Sequence, residues 1–258
     1  MIKRDELIQF IYKTIGKDLL KKAEEKDELA NGIQILGGKK VEKVTLGTSL
    51  NEDFLKEVIS IGSNFCVFHH GFDSRTYKSS YPSFSQKRLK LIFQHEITIA
   101  GFHYALDAHP EIGNNATIIK LLGAQIDQPL FEEWGFTGKF STLQDVKQLA
   151  DKCAKIFEHD VFAVYSGPKK VTTIGATSGA GKPSAQHIKE MENKGVELFI
   201  TGEPSESVPH KMKESGINYF AGGHYATEVF GVQELGKVIK SHFKDRLEVE
   251  FIDIPNPI

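Results

Sequence analysis

The chain has 258 residues, enough for one large domain or two lobes around a buried core. Forty per cent are hydrophobic and 26% charged, the balance of a soluble globular protein, and a formal charge of -2 supplies no general attraction to nucleic acid. No apolar run approaches the roughly 20 residues that a membrane-spanning helix needs, and the N-terminal MIKRDELIQFIYKTIG mixes charges into what would be a signal peptide's core. The two cysteines, Cys66 and Cys153, lie far apart in apolar surroundings, which suits reduced thiols in the cytoplasm better than a disulfide framework.

In chain order, Leu7, Ile8, Ile11 and Ile15 recur at helical spacing, and Asn51 is placed to cap a helix through EDFLKEVISIG. NFCVFHH then reads as a buried strand, SQKRLKLIFQH as a helix opening near Ser85, and EITIAGFH as the next strand. NNATIIKLLG reads as a short helix capped by Asn114 or Asn115 and closed by Gly123. Residues 124–141 show no clear period and read as a connection between two lobes, through short strands or a loop. Beyond them STLQDVKQLADKCAKIF is an amphipathic helix with Ser141 as its cap, and VTTIGATSGAG is a strand running into a glycine-rich loop. SAQHIKEMENKG, ended by Gly195, and SVPHKMKESG are helices. VELFITGE and INYFAGGHYATE carry strands, the second followed by a turn. The helix EVFGVQELGKVIKSHF and a closing strand LEVEFIDI complete the chain. This alternation predicts an α/β protein with largely parallel sheets flanked by helices, in two lobes of about 1–127 and 128–258.

The strand exits share a chemistry. The first ends in His69 and His70 before Gly71, the second in GFHYALDAH with His103, Asp107 and His109, and a late one in GGHYATE with His224 and Glu228. Adjacent residues of an extended strand point to opposite faces, so His69 and His70 serve one site only if the strand is already breaking there. His224 and Glu228, four residues apart, share one side of a helix, and Gly222 and Gly223 permit the tight turn that this needs. Singly, each feature has a plainer reading: a capping His-His pair, a core His103, a Glu228 that favours a helix dipole. Together, imidazoles and carboxylates at three strand exits suit zinc, iron or manganese, and exceed what one tetrahedral ion needs. Two ions roughly 3.5 to 4 Å apart, bridged by a carboxylate, would use them.

The order HH-G, H-x3-D, TGE and GHYATE, with NGIQILG at residues 31–37, resembles the family named after the yeast NGG-one-interacting factor three. Its members are also called GTP cyclohydrolase I type 2 homologues or dinuclear-metal-centre proteins. The likeness covers nearly the full chain, without the inserted domain of long members, whose insertion point falls at 124–141. It implies a two-lobed α/β fold with two divalent ions in the crevice between the lobes, often within a toroidal homohexamer. Carried over, His69 and His70 each bind an ion, Asp107 and His224 each bind one, and Glu228 bridges both. His103 falls at a further site histidine, which either moves protons as a catalytic residue or orients a ligand.

Where relatives carry a glycine-rich run after the aspartate, this chain has AHPEIGNNA, with His109 and Glu111. ATSGAGK, residues 176–182, is not a P-loop, since Pro183 follows Lys182. It either cradles an anion or makes a tight turn. Glu203 and His210 are candidates to line the crevice, Glu203 as a hydrogen-bonding partner rather than a ligand. Of Phe68, Phe72, Tyr77, Phe102 and Tyr104, most belong to the core and one or two are candidates to stack on a planar base. The implied function is hydrolysis of a nucleotide-like or phosphoester small molecule, with the substrate unassigned. A metal-binding scaffold or interaction protein without turnover is the alternative.

Overall fold

The computed structural model describes residues 1–76 and 78–258. Its elements, in chain order, are β1 (Ile2–Lys3), α1 (Arg4–Ile15), α2 (Lys17–Lys26), β2 (Asn31–Ile35), β3 (Lys40–Val41), β4 (Lys43–Ser49), α3 (Glu52–Ser60), β5 (Phe65–His70), α4 (Ser83–Gln94), β6 (Thr98–Phe102) and α5 (Tyr104–Asp107). There follow α6 (Asn114–Leu122), β7 (Gln125–Leu130), β8 (Gly135–Asp145), α7 (Val146–Phe157), β9 (Phe162–Val164), β10 (Lys170–Thr177), α8 (Ala185–Asn193), β11 (Leu198–Thr201), α9 (Val208–Ser215), β12 (Asn218–Ala221), α10 (His224–Phe243) and β13 (Glu248–Phe251). Among the described residues, no helix is long and apolar enough to cross a membrane.

The chain divides into two compact units: Met1–Leu106 with Gly231–Ile254, and Asp107–Phe230 with Pro255–Ile258. The first division therefore falls after residue 106 rather than near 127. Residues 231–254 return to the first unit because β13 pairs with β4 and completes its sheet.

In the first unit the strand order is β13-β4-β5-β6-β2, parallel throughout except for β2 against β6. Parallel strands covered on both faces read as continuous apolar runs, and FCVF of β5 is fully buried in this way. Asn51 caps α3 as expected, its Oδ1 accepting from Phe54 N at 2.8 Å. Phe54 then meets Phe68 of β5 edge to face, with ring centroids 4.7 Å apart, in a cluster with Leu55, Val58, Ile92 and Ile99. Helix α2 and strand β4 have no counterpart among the predicted elements. The run KVTLGTS of β4 is broken by Thr45, Gly47 and Thr48, yet Thr45 is fully buried, with its hydroxyl 3.3 Å from both Ser63 Oγ and Cys66 Sγ.

In the second unit the order is β7-β8-β10-β11-β12-β9, with β10, β11 and β12 parallel and the outer pairings antiparallel. Residues 124–141 thus carry strands rather than a loop: β7 and the 11-residue β8 form an antiparallel pair joined by a turn at residues 131–134. Ser141 lies inside β8, and α7 is capped by Asp145, whose Oδ1 accepts from Lys147 N and Gln148 N. Nor do Asn114 and Asn115 cap α6. Gly113 is the cap, and both asparagines are fully buried in its first turn with their amides committed elsewhere.

Both thiols are buried, and burial pushes each up to about 12, so both stay protonated well above neutral pH. Native protein at pH 8 is therefore expected to give no reaction with Ellman's reagent, and two thiols per chain after denaturation in guanidinium. Rapid titration of either thiol in the native protein would show that its packing is wrong.

Candidate metal centre

The first unit brings three histidines together. His69 and His70 end β5, and His103 follows β6 directly. On the β6 side the β5 ladder stops at Phe68 against Gly101, while on the β4 side it runs to His70 against Ser49. Beyond that last two-sided pair the rings converge instead of diverging. Centroid distances are 4.6 Å for His69–His70, 4.8 Å for His69–His103 and 5.3 Å for His70–His103. One donor atom from each of the three lies within 4.8 Å of the others, a grouping able to hold a metal ion.

Each ring is held through the same atom. His69 Nδ1 donates to the Phe102 carbonyl at 3.1 Å, His70 Nδ1 lies 3.0 Å from Ser49 Oγ, and His103 Nδ1 donates to Asp27 Oδ2 at 2.8 Å. Metal-binding imidazoles are oriented in this way, with one nitrogen engaged by the protein and the other kept for the ion. The NGIQ stretch is the frame behind them. Gln34 Nε2 donates to Phe72 O at 2.6 Å and Gln34 Oε1 accepts from Phe72 N at 2.7 Å, which fixes the chain just past His70. Phe68, Phe102 and Tyr104 are fully buried and Phe72 nearly so. These four are packing residues, and Tyr77 lies outside the described residues.

The second unit carries the acidic set. Asp107, at the end of α5, is buried, and its Oδ1 accepts from Asn114 Nδ2 and from Ser178 Oγ, both at 2.9 Å. Asn115 holds the surrounding backbone: its Nδ2 donates to Asp107 O at 3.2 Å and Trp134 O at 2.8 Å, and its Oδ1 accepts from Ser178 N at 2.7 Å. His109 accepts backbone N–H bonds from Glu111 and Ile112, a turn-making role, and Glu111 is exposed.

His224 opens α10 behind Gly223, whose φ of +95° makes the expected turn. Its Nδ1 donates to Glu203 Oε1 at 2.5 Å and its Nε2 lies 3.0 Å from Glu228 Oε2. Burial disfavours the imidazolium, but the hydrogen bonds and charges of Glu228 and Glu203 outweigh it and raise His224 to about 9. An ion taking Nε2 must therefore displace a proton at neutral pH. Glu203 is a hydrogen-bonding partner of His224, and His210 is exposed on α9. The glycine-rich loop is a tight turn in which Gly179 spends both of its backbone groups internally. Gly179 N donates to Thr227 Oγ1 at 3.0 Å, and Gly179 O accepts from Gly202 N and Glu203 N.

The family described as Duf34/NIF3 (NGG1p interacting factor 3) matches residues 2–257. The chain belongs to this family. Among NIF3 relatives, the protein named GTP cyclohydrolase 1 type 2 homolog of Pasteurella multocida is 32% identical over 235 residues, covering 90% of this chain and 92% of that one. A relative of the same name from Escherichia coli K12 is also 32% identical, over 260 residues, with 99% and 100% covered. A solved structure described as protein ybgI, of unknown function, superposes with a TM-score of 0.87 at 30% identity over the whole of both chains. The two-lobed NIF3 α/β fold is thereby shown.

Asp27, Ser49 and Gln34 are site-building residues that inspection of the sequence missed. Asp27 is one of several acidic residues in EEKDE, and only the asparagine four positions on distinguishes it.

Proposed function

We propose that the protein is a divalent-metal-dependent hydrolase acting on a nucleotide-like or phosphoester small molecule. His69, His70, Asp107, His224 and Glu228 hold two ions, zinc, iron or manganese, and His103 beside them is the catalytic proton carrier. The observation that carries the reading is the histidine trio, three imidazoles each held at Nδ1. The buried carboxylates Asp107 and Glu228 would supply the negative charge that two divalent ions require, with Glu228 shared between them. When bound, such ions would supply an activated water near neutral pH and polarisation of the bond to be broken. The chain's own part is to hold imidazoles and carboxylates in place and, through His103, to accept or return a proton near neutral pH. The relatives' shared name supports a nucleotide as substrate. Buried reduced thiols fit the cytoplasm, and the assembly proposed is a toroidal homohexamer.

Metal content of protein purified without added metal decides the first point. About two equivalents per chain are expected, falling below one in the His69→Ala/His70→Ala double variant and in Glu228→Gln, with hydrolysis of nucleotides or phosphoesters only by the loaded wild type. Negligible metal after incubation with zinc, iron(II) or manganese would overturn the proposal. Full occupancy in Glu228→Gln would overturn the bridging role.

A further inference from the structure

The carboxylate of Asp27 is almost fully buried and gathers four donors from two stretches of the first unit, residues 29–31 and residues 103–104. Oδ1 accepts from Leu29 N at 2.9 Å, while Oδ2 accepts from Asn31 Nδ2 at 2.8 Å, Tyr104 N at 3.0 Å and His103 Nδ1 at 2.8 Å. Burial opposes the charge, but the hydrogen bond from His103, with the Leu29 and Asn31 donors, holds Asp27 well below the usual carboxylate range. Oδ2 already accepts from Asn31 and Tyr104, and an ionised carboxylate only accepts, so Nδ1 of His103 is the donor and the neutral form of the ring has its lone pair on Nε2.

The surroundings fix the ring as well as its tautomer. His103 N donates to Ala30 O at 3.0 Å, and Asn31 spans the segment, donating to Asp27 while its Oδ1 accepts from Ala105 N at 2.9 Å. Two backbone amides would suffice to pin a turn to Asp27. The bond to the His103 ring goes beyond that need and gives the third histidine the same polarity as His69, whose Nδ1 proton goes to a carbonyl.

We propose that Asp27 is a positioning residue that locks His103 in the Nδ1-protonated form and presents its Nε2 as a basic electron-pair donor to the site shared with His69 and His70. Asn31 of the NGIQ stretch acts as its brace. A carboxylate partner raises the basicity of an imidazole and fixes its direction. The inference rests on the metal-site reading for its consequence, but not for the tautomer.

Long-range proton–nitrogen spectra of metal-free full-length protein at pH 8 test it, with the His103 signals assigned by their absence in His103→Gln. The expected result is a proton on Nδ1 in the wild type, shifted wholly or partly to Nε2 in Asp27→Ala. Asp27→Asn, which keeps one acceptor oxygen, should lie between them. Zinc content should stay near two equivalents in both variants, because His103 is not among the residues that hold the ions. An Nε2-protonated His103 in the wild type, or an unchanged tautomer in Asp27→Ala, would overturn the proposal. Should Asp27→Ala fail to fold, the wild-type and Asp27→Asn spectra decide. If the wild type takes up no zinc, the hydrolase reading fails while the spectra still decide the role of Asp27.

Discussion

Replacing Gly37 by alanine is expected to cost the protein about 3 kcal/mol or more and to lower its Tm by about 10 °C. A methyl group there would stand 1.9 Å from the carbonyl oxygen of Glu96, 2.5 Å from its carbon and 2.6 Å from the carbonyl carbon of Ile97. All three obstacles are backbone, so no side chain can swing aside. The backbone cannot yield cheaply either. Glu96 O accepts from Gly38 N at 2.7 Å, Gly37 N donates to Thr98 Oγ1 at 3.0 Å, and Gly37 O accepts from Arg4 Nη1 at 2.7 Å. The substitution must spread this lattice of bonds at the entrance of β6, next to the core of the first unit. Urea or thermal unfolding measures the effect, and a loss below 1 kcal/mol would mean that residues 36–38 do not approach Glu96 as described.

Gly179→Ala is expected to spare most of the stability and remove the acidic half of the site. Gly179 has a φ of +59°, and an added Cβ would lie 2.0 Å from Glu228 Oε1 and 3.2 Å from His224 Nε2. The left-handed backbone costs an alanine about 1 kcal/mol. Gly195 is the control, because its φ is +65° and nothing lies within 4 Å of its added Cβ. Gly195→Ala therefore registers backbone strain alone. Both variants should lose about 1 kcal/mol, whereas only Gly179→Ala must push the buried Glu228 carboxylate from its place beside His224. In metal-free protein the His224 pKa should then fall from about 9 towards 6.5, because the Glu228 part of its elevation is lost and only Glu203 remains. Metal uptake should drop at least tenfold in Gly179→Ala and stay unchanged in Gly195→Ala. Equal behaviour of the two variants would detach the loop from the site.

These contacts also show what a single sequence can reveal. HH-G, H-x3-D and GHYATE were legible because each places a chemically distinctive side chain at the end of an apolar run, and the runs themselves announce buried strands. The cap at Asn51 was readable because capping is local: one side chain answers a backbone amide three residues on. Ser141, Asn114 and Asn115 obey the same local rule and fail it, since β8 continues to Asp145 through pairing with β10, and the two asparagines serve Asp107, Trp134 and Ser178. Such partners are up to 63 positions away and leave no periodic trace. Asp27 escaped notice for the same reason, lying 76 positions from the ring that it orients. The return of residues 231–254 to the first unit rests on the parallel pairing of β13 with β4 and on the packing of α10 against Phe10, neither of which a local pattern encodes.

The fastenings of the three histidine rings bear on how an ion would come and go. Because Phe102 O, Ser49 Oγ and Asp27 Oδ2 are part of the chain, they persist when a chelator strips the site, and the imidazoles stay aligned. Reloading would then be governed by how quickly an incoming ion sheds its water rather than by refolding of the protein around it. Ions that exchange water rapidly, such as zinc and manganese, should enter at rates nearly independent of protein stability, with slow-exchanging nickel lagging far behind. The identity of the ion found in a purified sample would accordingly record the pool that the chain last met.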